Sequence, residues 1–184
     1  MSGCNRVLKM LALAAGLGGA LNVTAALHAG DVAPPFVAEA ALSGKQFTFD
    51  LAEALKKGPV VLYFYPKAFT SGCTVEAHNF AEASDRFKAL GATVLGMSND
   101  DIGTLKKFSV KECRNKFAVA ADHGARVMKK YDAVLPASTD VADRISYVIA
   151  PNGLVIYVYA SLSPDGHVEN TLHAIEQWKD GTAH

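Results

Sequence analysis

The fold is decided by the stretch Pro59-Val60-Val61-Leu62-Tyr63-Phe64-Tyr65-Pro66-Lys67-Ala68-Phe69-Thr70-Ser71-Gly72-Cys73. Residues 59–65 form a nearly continuous apolar and β-branched run, which is typical of a central strand buried on both faces. Pro66 ends that strand because it has no backbone N–H. Apolar residues then recur at approximately helical spacing until Gly91, namely Val75, Phe80, Ala83, Phe87 and Leu90. The stretch therefore predicts a buried strand, a short loop and an amphipathic helix.

Cys73 lies in the first turn of the predicted helix. Backbone N–H groups without helical partners, together with the positive end of the helix dipole, favour a thiolate over a thiol at this position. The position therefore predicts a reactive cysteine. The alternative is an ordinary buried thiol or one half of a static disulfide.

The rest of the chain alternates short strands and helices. Residues 30–36 are extended, and Pro151-Asn152-Gly153 is a strong hairpin signal between strands 145–150 and 154–159. The other predicted strands are 46–49, 92–98 and 117–121, and helices are predicted at 51–57, from 99 to about 112, around 127–131 and from 168 to 178. This order predicts an α/β, thioredoxin-like fold with a mixed central sheet flanked by helices. Residues 116–132 add an extra strand and helix to that plan.

The first 29 residues have the composition of a secretory signal peptide. Arg6 and Lys9 precede an apolar, acid-free run over residues 10–21, and small residues follow it. The cleavage site stays open among several alanine positions between 25 and 29. An uncleaved membrane anchor is the rival interpretation, but twelve apolar residues are fewer than the roughly 18 to 20 that span a bilayer. The sequence thus predicts a periplasmic or secreted protein whose single domain covers residues 30–184.

Composition narrows the range of partners. Loss of residues 1–29 removes two basic residues and no acidic one, which changes the formal charge from zero to −2. The remaining chain has no basic cluster, so nucleic acid is not an expected partner. No stable membrane association is expected after signal cleavage. Cys4 would leave with the signal peptide, and the domain would keep two thiols, Cys73 and Cys113.

The active-site stretch resembles that of peroxiredoxins, in which proline is followed after three residues by threonine and after two more by cysteine; here these are Pro66, Thr70 and Cys73. The segments 30–36, 57–66 and 143–149 also lie where that family has them, so the likeness covers essentially the whole predicted domain. The branch that it resembles most is peroxiredoxin Q, also called the bacterioferritin comigratory proteins. Many members of that branch carry a second cysteine five residues after the first, where this chain has His78.

The resemblance implies a thiol-dependent peroxidase without a metal or organic cofactor. A thiolate at Cys73 would attack hydrogen peroxide or an organic hydroperoxide and become a sulfenic acid. A free thiol is already a few per cent ionised at pH 7, so complete ionisation gains at most about 30-fold. Donors aimed at the breaking O–O bond are therefore also needed.

The resemblance assigns those donors. The Thr70 hydroxyl would donate to the thiolate or to the peroxide, and the Cys73 N–H points out of the helix start. Arg144 would supply the cation, Pro66 would shape the loop, and Glu76 is placed to orient Arg144. From the residues alone, Thr70 could be only a helix cap, which is a role compatible with catalysis, and Arg144 is equally one partner of a surface ion pair with Asp143 or another acid.

Because position 78 is histidine, Cys113 becomes the expected resolving cysteine. It would form an intramolecular disulfide with Cys73, which a thioredoxin-type or other dithiol reductant would reduce. Both helix ends would have to unwind locally, since a disulfide needs Cα atoms within about 7 Å. The alternative is that Cys113 is a small apolar residue packed at a helix end, and that an outside thiol completes the cycle.

Other functions stay open at this stage. A disulfide oxidoreductase usually pairs two cysteines around two residues, and position 70 is threonine. A non-enzymatic redox sensor needs the same reactive thiol. His78, His123 and His173 lie among polar or helical neighbours and are expected to be solvated, and no close cysteine or histidine pair predicts a metal site. A monomer or weak dimer is expected.

Overall fold

A seven-stranded sheet runs through the part of the chain that the computed structural model describes, residues 27–182. Its strands are Val37–Leu42 (β1), Lys45–Asp50 (β2), Val60–Phe64 (β3), Thr93–Ser98 (β4), Ala118–Ala121 (β5), Ile145–Ile149 (β6) and Val155–Ala160 (β7). The helices are Leu51–Leu55 (α1), Ser71–Glu82 (α2), Ser84–Ala89 (α3), Ile102–Lys111 (α4), Arg126–Lys130 (α5) and His167–Lys179 (α6). The predicted hairpin and the final helix are both present.

The sheet is mixed, as predicted. Its strand order is β2-β1-β5-β4-β3-β6-β7, with β3, β4 and β5 mutually parallel and the other pairs antiparallel. All five residues of β3 are buried, which explains why that strand is a continuous apolar run. The parallel pairing of β3 and β4 requires a crossover, and α2 and α3 provide it.

The sheet separates two hydrophobic clusters. Alternate side chains of β3 point to opposite faces, so Val60, Leu62 and Phe64 join one cluster while Val61 and Tyr63 join the other. The first cluster includes residues of α1 and α5, and the second includes residues of α2, α3, α4 and α6. Cys73 and Cys113 both belong to the second cluster. Helices thus cover both faces, and the mixed α/β prediction is confirmed.

Two local predictions were wrong. Strand β1 was not predicted, because Val37–Leu42 is rich in alanine and has little β-branched character. It forms a hairpin with β2 through Ser43 and Gly44, which both have positive φ. The helix predicted to run to Gly91 is two helices, because the chain turns at Ala83 between α2 and α3.

The predicted insertion is present as β5 and α5. Asp122 follows β5 directly and accepts hydrogen bonds from the backbone N–H groups of Val127 and Met128, at distances from 2.8 to 3.1 Å. This buried carboxylate fixes the first turn of α5 to the end of β5. The insertion thereby extends the sheet on the β4 side, away from β3 and the β3–α2 connection.

Candidate active site

The connection from β3 to α2 is held by the neighbouring strand β4. The Tyr65 N–H donates to the Met97 carbonyl at 3.1 Å, and Pro66 then ends the ladder. Asp100, just after β4, accepts hydrogen bonds at 2.8 Å from the Ala68 N–H and from the Ser98 hydroxyl. Asp100 was not predicted as a site residue, although its position at the end of a neighbouring parallel strand was the available signal. This carboxylate fixes the loop before Cys73.

Thr70 is the N-cap residue of α2 and is exposed. Its hydroxyl donates to the Lys67 carbonyl at 2.9 Å, which closes the loop on itself. No hydrogen bond joins this hydroxyl to Cys73 or to a backbone N–H of the first helical turn within the described residues. Its proton is therefore already engaged inside the loop. Donation to a peroxide requires the hydroxyl to turn away from Lys67.

Cys73 lies in the first turn of α2 with 1% of its surface exposed. Its thiol is free. Gly72 precedes it, and a Cβ atom at this glycine would lie 3.0 Å from Nη2 of Arg144. A side chain at position 72 would therefore crowd the guanidinium beside the sulfur. Gly72 is a second site residue that the sequence analysis missed.

Arg144 lies immediately before β6 and is 5% exposed. Its Nη2 donates to the Sγ of Cys73 at 3.5 Å, and its Nε donates to the Leu162 carbonyl at 3.0 Å. The alternative of a surface ion pair with Asp143 is not observed, because the Asp143 carboxylate accepts the backbone N–H of Arg144 at 2.7 Å. The guanidinium is thus turned inward toward the thiol.

Glu76 is completely buried one turn after Cys73. Its Oε2 accepts a short hydrogen bond from Nη1 of Arg144, so the predicted orienting contact is present. Burial raises the pKa of Glu76 to about 8, while the charge and hydrogen bond of Arg144 act in the opposite direction. For Arg144, burial disfavours the charged form, but Glu76 and Cys73 outweigh it and raise the pKa of the guanidinium. Cys73, Arg144 and Glu76 therefore form one buried, hydrogen-bonded cluster.

His167 extends this cluster and was not predicted. It is the first residue of α6 and is completely buried, with its Nδ1 3.6 Å from Oε1 of Glu76. Nδ1 also lies 2.8 Å from the Ser146 hydroxyl, and Nε2 lies 3.0 Å from the Ser161 carbonyl. Little in the sequence indicates this role, because the residue precedes the apolar stripe of α6.

Cys113 follows α4 and is completely buried, with a free thiol. Burial raises the pKa of this thiol well above its usual value, and the nearby Glu112 carboxylate raises it further. The residues after it, Arg114 and Asn115, both have positive φ, which is uncommon outside glycine. Cys113 is thus a protonated, enclosed thiol next to a strained turn, and it forms no disulfide with Cys73.

Two side-chain contacts hold the Cys113 turn against α2. Nε2 of His78 lies 2.7 Å from Oε2 of Glu112, and Nη1 of Arg114 donates to Oε1 of Glu82 at 3.0 Å. His78 was expected to be solvated but is half-buried in this pair. The two residues that flank Cys113 therefore both contact α2, at positions one helical turn apart on that helix.

The cluster can stabilise negative charge on sulfur and on an oxygen bound next to it. Arg144 presents fixed N–H donors beside the sulfur at low exposure, where such donors act more strongly than in water. Of the predicted site residues, the fold brings Cys73 and Arg144 together, with Pro66 and Thr70 in the adjoining loop. It does not place Cys113 in bonding contact with Cys73.

Residues 27–182 contain neither a metal-binding cluster nor a membrane-spanning helix. No group of three or more histidine, cysteine, aspartate or glutamate side chains there is arranged to hold a metal ion. No helix in the same range has the length and apolar character needed to cross a membrane. The predicted signal peptide lies mostly within residues 1–26, outside the described residues.

Comparison with known sequences identifies relatives along the domain. The sequence model of the AhpC/TSA family matches residues 29–158. A chloroplastic peroxiredoxin Q from Sedum lineare is 31% identical over 159 residues, which cover 86% of this chain and 83% of the relative. A chloroplastic peroxiredoxin Q from Oryza sativa subsp. japonica is 35% identical over 122 residues, which cover 66% of this chain and 56% of that protein. The match therefore spans little more than half the length of the rice relative.

Solved structures share the fold. The peroxidoxin BcpB of Mycobacterium tuberculosis superposes with a TM-score of 0.73 at 27% sequence identity, over 82% of this chain and 97% of that one. The thioredoxin-like architecture of these neighbours confirms the predicted fold class.

The expected periplasmic or secreted location is wrong. The curated relatives above are named as chloroplastic proteins, and no signal peptide is shown in the part of the chain that the structure describes. The prediction relied only on the composition of the first 29 residues and did not take the location of related proteins into account.

Proposed function

Since the chain belongs to the AhpC/TSA family, and within it to the peroxiredoxin Q group, we propose that it is a thiol-dependent peroxidase with Cys73 as its nucleophile. Its substrates are hydrogen peroxide or organic hydroperoxides. The observation that carries this proposal is the contact of Arg144 Nη2 with the Cys73 sulfur at 3.5 Å. A buried cation beside a buried thiol favours the thiolate and the charge that develops during its attack.

In the first step, the Cys73 thiolate attacks one peroxide oxygen and the O–O bond breaks. Sulfur gains that oxygen and becomes a sulfenic acid, while the second oxygen leaves as water or an alcohol after taking a proton. Negative charge moves from sulfur to the leaving oxygen during this step. Arg144 supports both ends of that movement because its planar fork carries several N–H donors.

In the second step, the Cys113 thiol attacks the sulfenic acid, forming a disulfide and releasing water. A dithiol reductant of the thioredoxin type then returns both cysteines to thiols and is itself oxidised to a disulfide. Cys73 and Cys113 are both buried, so neither sulfur is accessible to a protein reductant. Their burial supports a local opening before the disulfide forms and is reduced. The strained turn after Cys113 supports an opening at that end.

Peroxide consumption by the wild type, Cys73→Ser and Cys113→Ser, supplied with a thioredoxin-type reductant, tests the proposal. We expect the wild type to consume peroxide in molar excess over protein and Cys73→Ser to consume none. Cys113→Ser should be oxidised once and then stop. Turnover by Cys73→Ser would contradict the assignment of the nucleophile. A wild type that stops after one oxidation would contradict the proposal that the protein is a peroxidase.

A further inference from the structure

His167 is a buried titratable side chain that the steps above do not use. It contacts three different segments: Nε2 lies 3.0 Å from the Ser161 carbonyl, and Nδ1 lies 2.8 Å from the Ser146 hydroxyl and 3.6 Å from Oε1 of Glu76. Every polar atom of its ring therefore faces a specific partner. Hydrogen bonds to Ser161 and Ser146 are what any buried histidine requires, but the approach of Nδ1 to the Glu76 carboxyl goes beyond them.

The contacts fix one proton on the ring and leave the other variable. A carbonyl oxygen can only accept a hydrogen bond, so Nε2 carries a hydrogen that it donates to Ser161. Nδ1 without a hydrogen accepts from the Ser146 hydroxyl. Nδ1 with a hydrogen donates to the Ser146 oxygen and places a positive charge beside Glu76. The presence or absence of a hydrogen on Nδ1 is therefore the one protonation state of this imidazole that can change.

The Glu76 carboxyl is the second group whose protonation can change, at its Oε1 atom. Its Oε2 accepts from Arg144, whereas Oε1 is buried without a hydrogen-bond partner among the described residues. A buried acceptor in that state is unfavourable. A proton on Oε1 removes the unpaired charge, whereas a proton on Nδ1 offsets it with a positive charge 3.6 Å away. Burial raises the pKa of Glu76 to about 8 and lowers the pKa of His167, so the proton lies on Glu76 near neutral pH.

We propose that His167 is a positioning residue of this site, which holds one proton jointly with Glu76 and thereby sets how much of the Arg144 charge is available to Cys73. The inference rests on the proposed peroxidase function for its consequence in catalysis. When Glu76 holds the proton, its neutral carboxyl competes little for Arg144. When the proton is lost, the carboxylate draws the guanidinium toward itself and away from the sulfur.

The surroundings of His167 support this pairing. Glu76 is the acidic group within 4 Å of the imidazole in the described residues. Arg144, which carries the other nearby charge, lowers the pKa of His167, although less than burial does. From β7, the Tyr159 ring packs edge-on at a centroid distance of 4.8 Å. Glu169, on the same helix as His167, is exposed and pairs with Arg86 instead.

The test follows two rate constants from pH 5 to pH 10: oxidation of Cys73 by hydrogen peroxide, and alkylation of Cys73 by iodoacetamide, mapped by mass spectrometry. The second reaction needs no peroxidase function. The variants are Glu76→Gln, His167→Asn and His167→Gln. The asparagine can donate to Glu76 near the position of Nδ1, and the glutamine can keep the Ser161 contact without a group at Nδ1.

In the wild type, we expect the peroxide rate to fall above about pH 8 and the alkylation profile to show a second step at the same pH. Glu76→Gln should lack that step. In His167→Asn the step should move to lower pH by about one unit, because an N–H donor stabilises the carboxylate. In His167→Gln it should stay near its wild-type position or move higher. Superimposable profiles for the wild type and both His167 variants would overturn the proposal.

A measurement on the unsubstituted protein covers the case in which these variants unfold. Nitrogen-15 NMR of labelled histidine should show the Nε2–H tautomer of His167 at neutral pH and a change in its Nδ1 signal at the pH of the Glu76 step. An imidazole insensitive to that step would overturn the proposal. If alkylation shows the step near pH 8 but peroxide is not reduced, proton sharing stands and the peroxidase function fails. If peroxide is turned over but alkylation shows no such step, the peroxidase function stands and proton sharing fails.

Discussion

Nη2 of Arg144 lies 3.5 Å from the Sγ of Cys73, although 71 positions separate the two residues in the sequence. Cys73 is held by the start of α2 and Arg144 by the start of β6, which pairs with β3. The strand that leads into the active-site loop is therefore also the neighbour of the strand that delivers the cation. The sheet, rather than the loop alone, sets this distance.

Replacing Arg144 with lysine should lower the rate of Cys73 oxidation by peroxide by about 100-fold or more. Lysine keeps the positive charge but cannot donate to Cys73, Glu76 and Leu162 at once, as the guanidinium does. Stopped-flow oxidation under single-turnover conditions measures the rate. Arg86→Lys is the matched control, because Arg86 pairs with Glu169 at the exposed surface. A wild-type rate in Arg144→Lys would show that the fork geometry has no role.

Replacing Gly72 with alanine should slow the same reaction without destabilising the protein. The new Cβ would lie 3.0 Å from Nη2 of Arg144 and would displace the guanidinium. Alanine is otherwise favoured over glycine in a helix by roughly 0.5–1 kcal/mol. We expect about a tenfold loss of the peroxide rate constant together with an unchanged or higher melting temperature. A loss of both rate and stability would point to a general packing fault instead.

Replacing Glu112 with glutamine should speed formation of the Cys73–Cys113 disulfide by roughly 3- to 10-fold. Burial is the main cause of the raised pKa of Cys113, and the Glu112 charge adds to it. The substitution removes that charge and also weakens the contact with His78 that holds the Cys113 turn on α2. Mass spectrometry of samples quenched after one equivalent of peroxide measures the rate.

Glu82→Gln is the control for that experiment. It disrupts the neighbouring ion pair with Arg114, which is more exposed, and leaves the Glu112 carboxylate in place. A smaller effect in Glu82→Gln than in Glu112→Gln agrees with the prediction. Equal rates for the wild type and Glu112→Gln would rule out both the charge effect and the restraint of the turn.

The raised pKa of Glu76 should make the free energy of unfolding depend on pH. Its pKa is raised from 4.5 to about 8, so between these values the folded protein holds a proton that the unfolded chain has released. Stability should therefore fall as pH rises through this range. His167, whose pKa is lowered from 6.5, acts in the opposite sense only up to about pH 6.5. The contribution of Glu76 is thus separable between pH 6.5 and pH 8.

Urea unfolding of the wild type and Glu76→Gln at pH 6.5, 7.2 and 8 measures this difference. The wild type should lose stability across the series relative to Glu76→Gln, whose side chain cannot ionise. Parallel curves for the two proteins would mean that Glu76 has the same protonation in the folded and unfolded states.

The sequence predicted the mixed sheet because its central strands are buried runs with distinct ends. It failed at β1, where alanine-rich composition does not favour a strand and pairing with β2 and β5 decides the structure. It also reversed two neighbouring residues of α2. Val75 was assigned to the apolar face but is 44% exposed, whereas the charged Glu76 is completely buried. Burial of that carboxylate follows from Arg144, which no local pattern could show.

The site residues divide in the same way. Cys73, Thr70 and Pro66 lie in one short stretch of the chain between β3 and the first turn of α2, so their spacing was informative. Arg144 came from the resemblance to a family, and His167 was missed because its partners come from α2, β6 and the segment after β7. Residues that act through contacts between distant segments leave no periodic signal in the sequence.

The division of the core by the sheet has a consequence for how the molecule can move. Both thiols lie among the side chains on the side covered by α2, α3, α4 and α6, while the opposite cluster contains neither. In the proposed redox cycle, only the side that holds both thiols would have to loosen, and the opposite cluster could stay packed as a support. A local opening on one side of the sheet, without complete unfolding, would then bring the two sulfur atoms together.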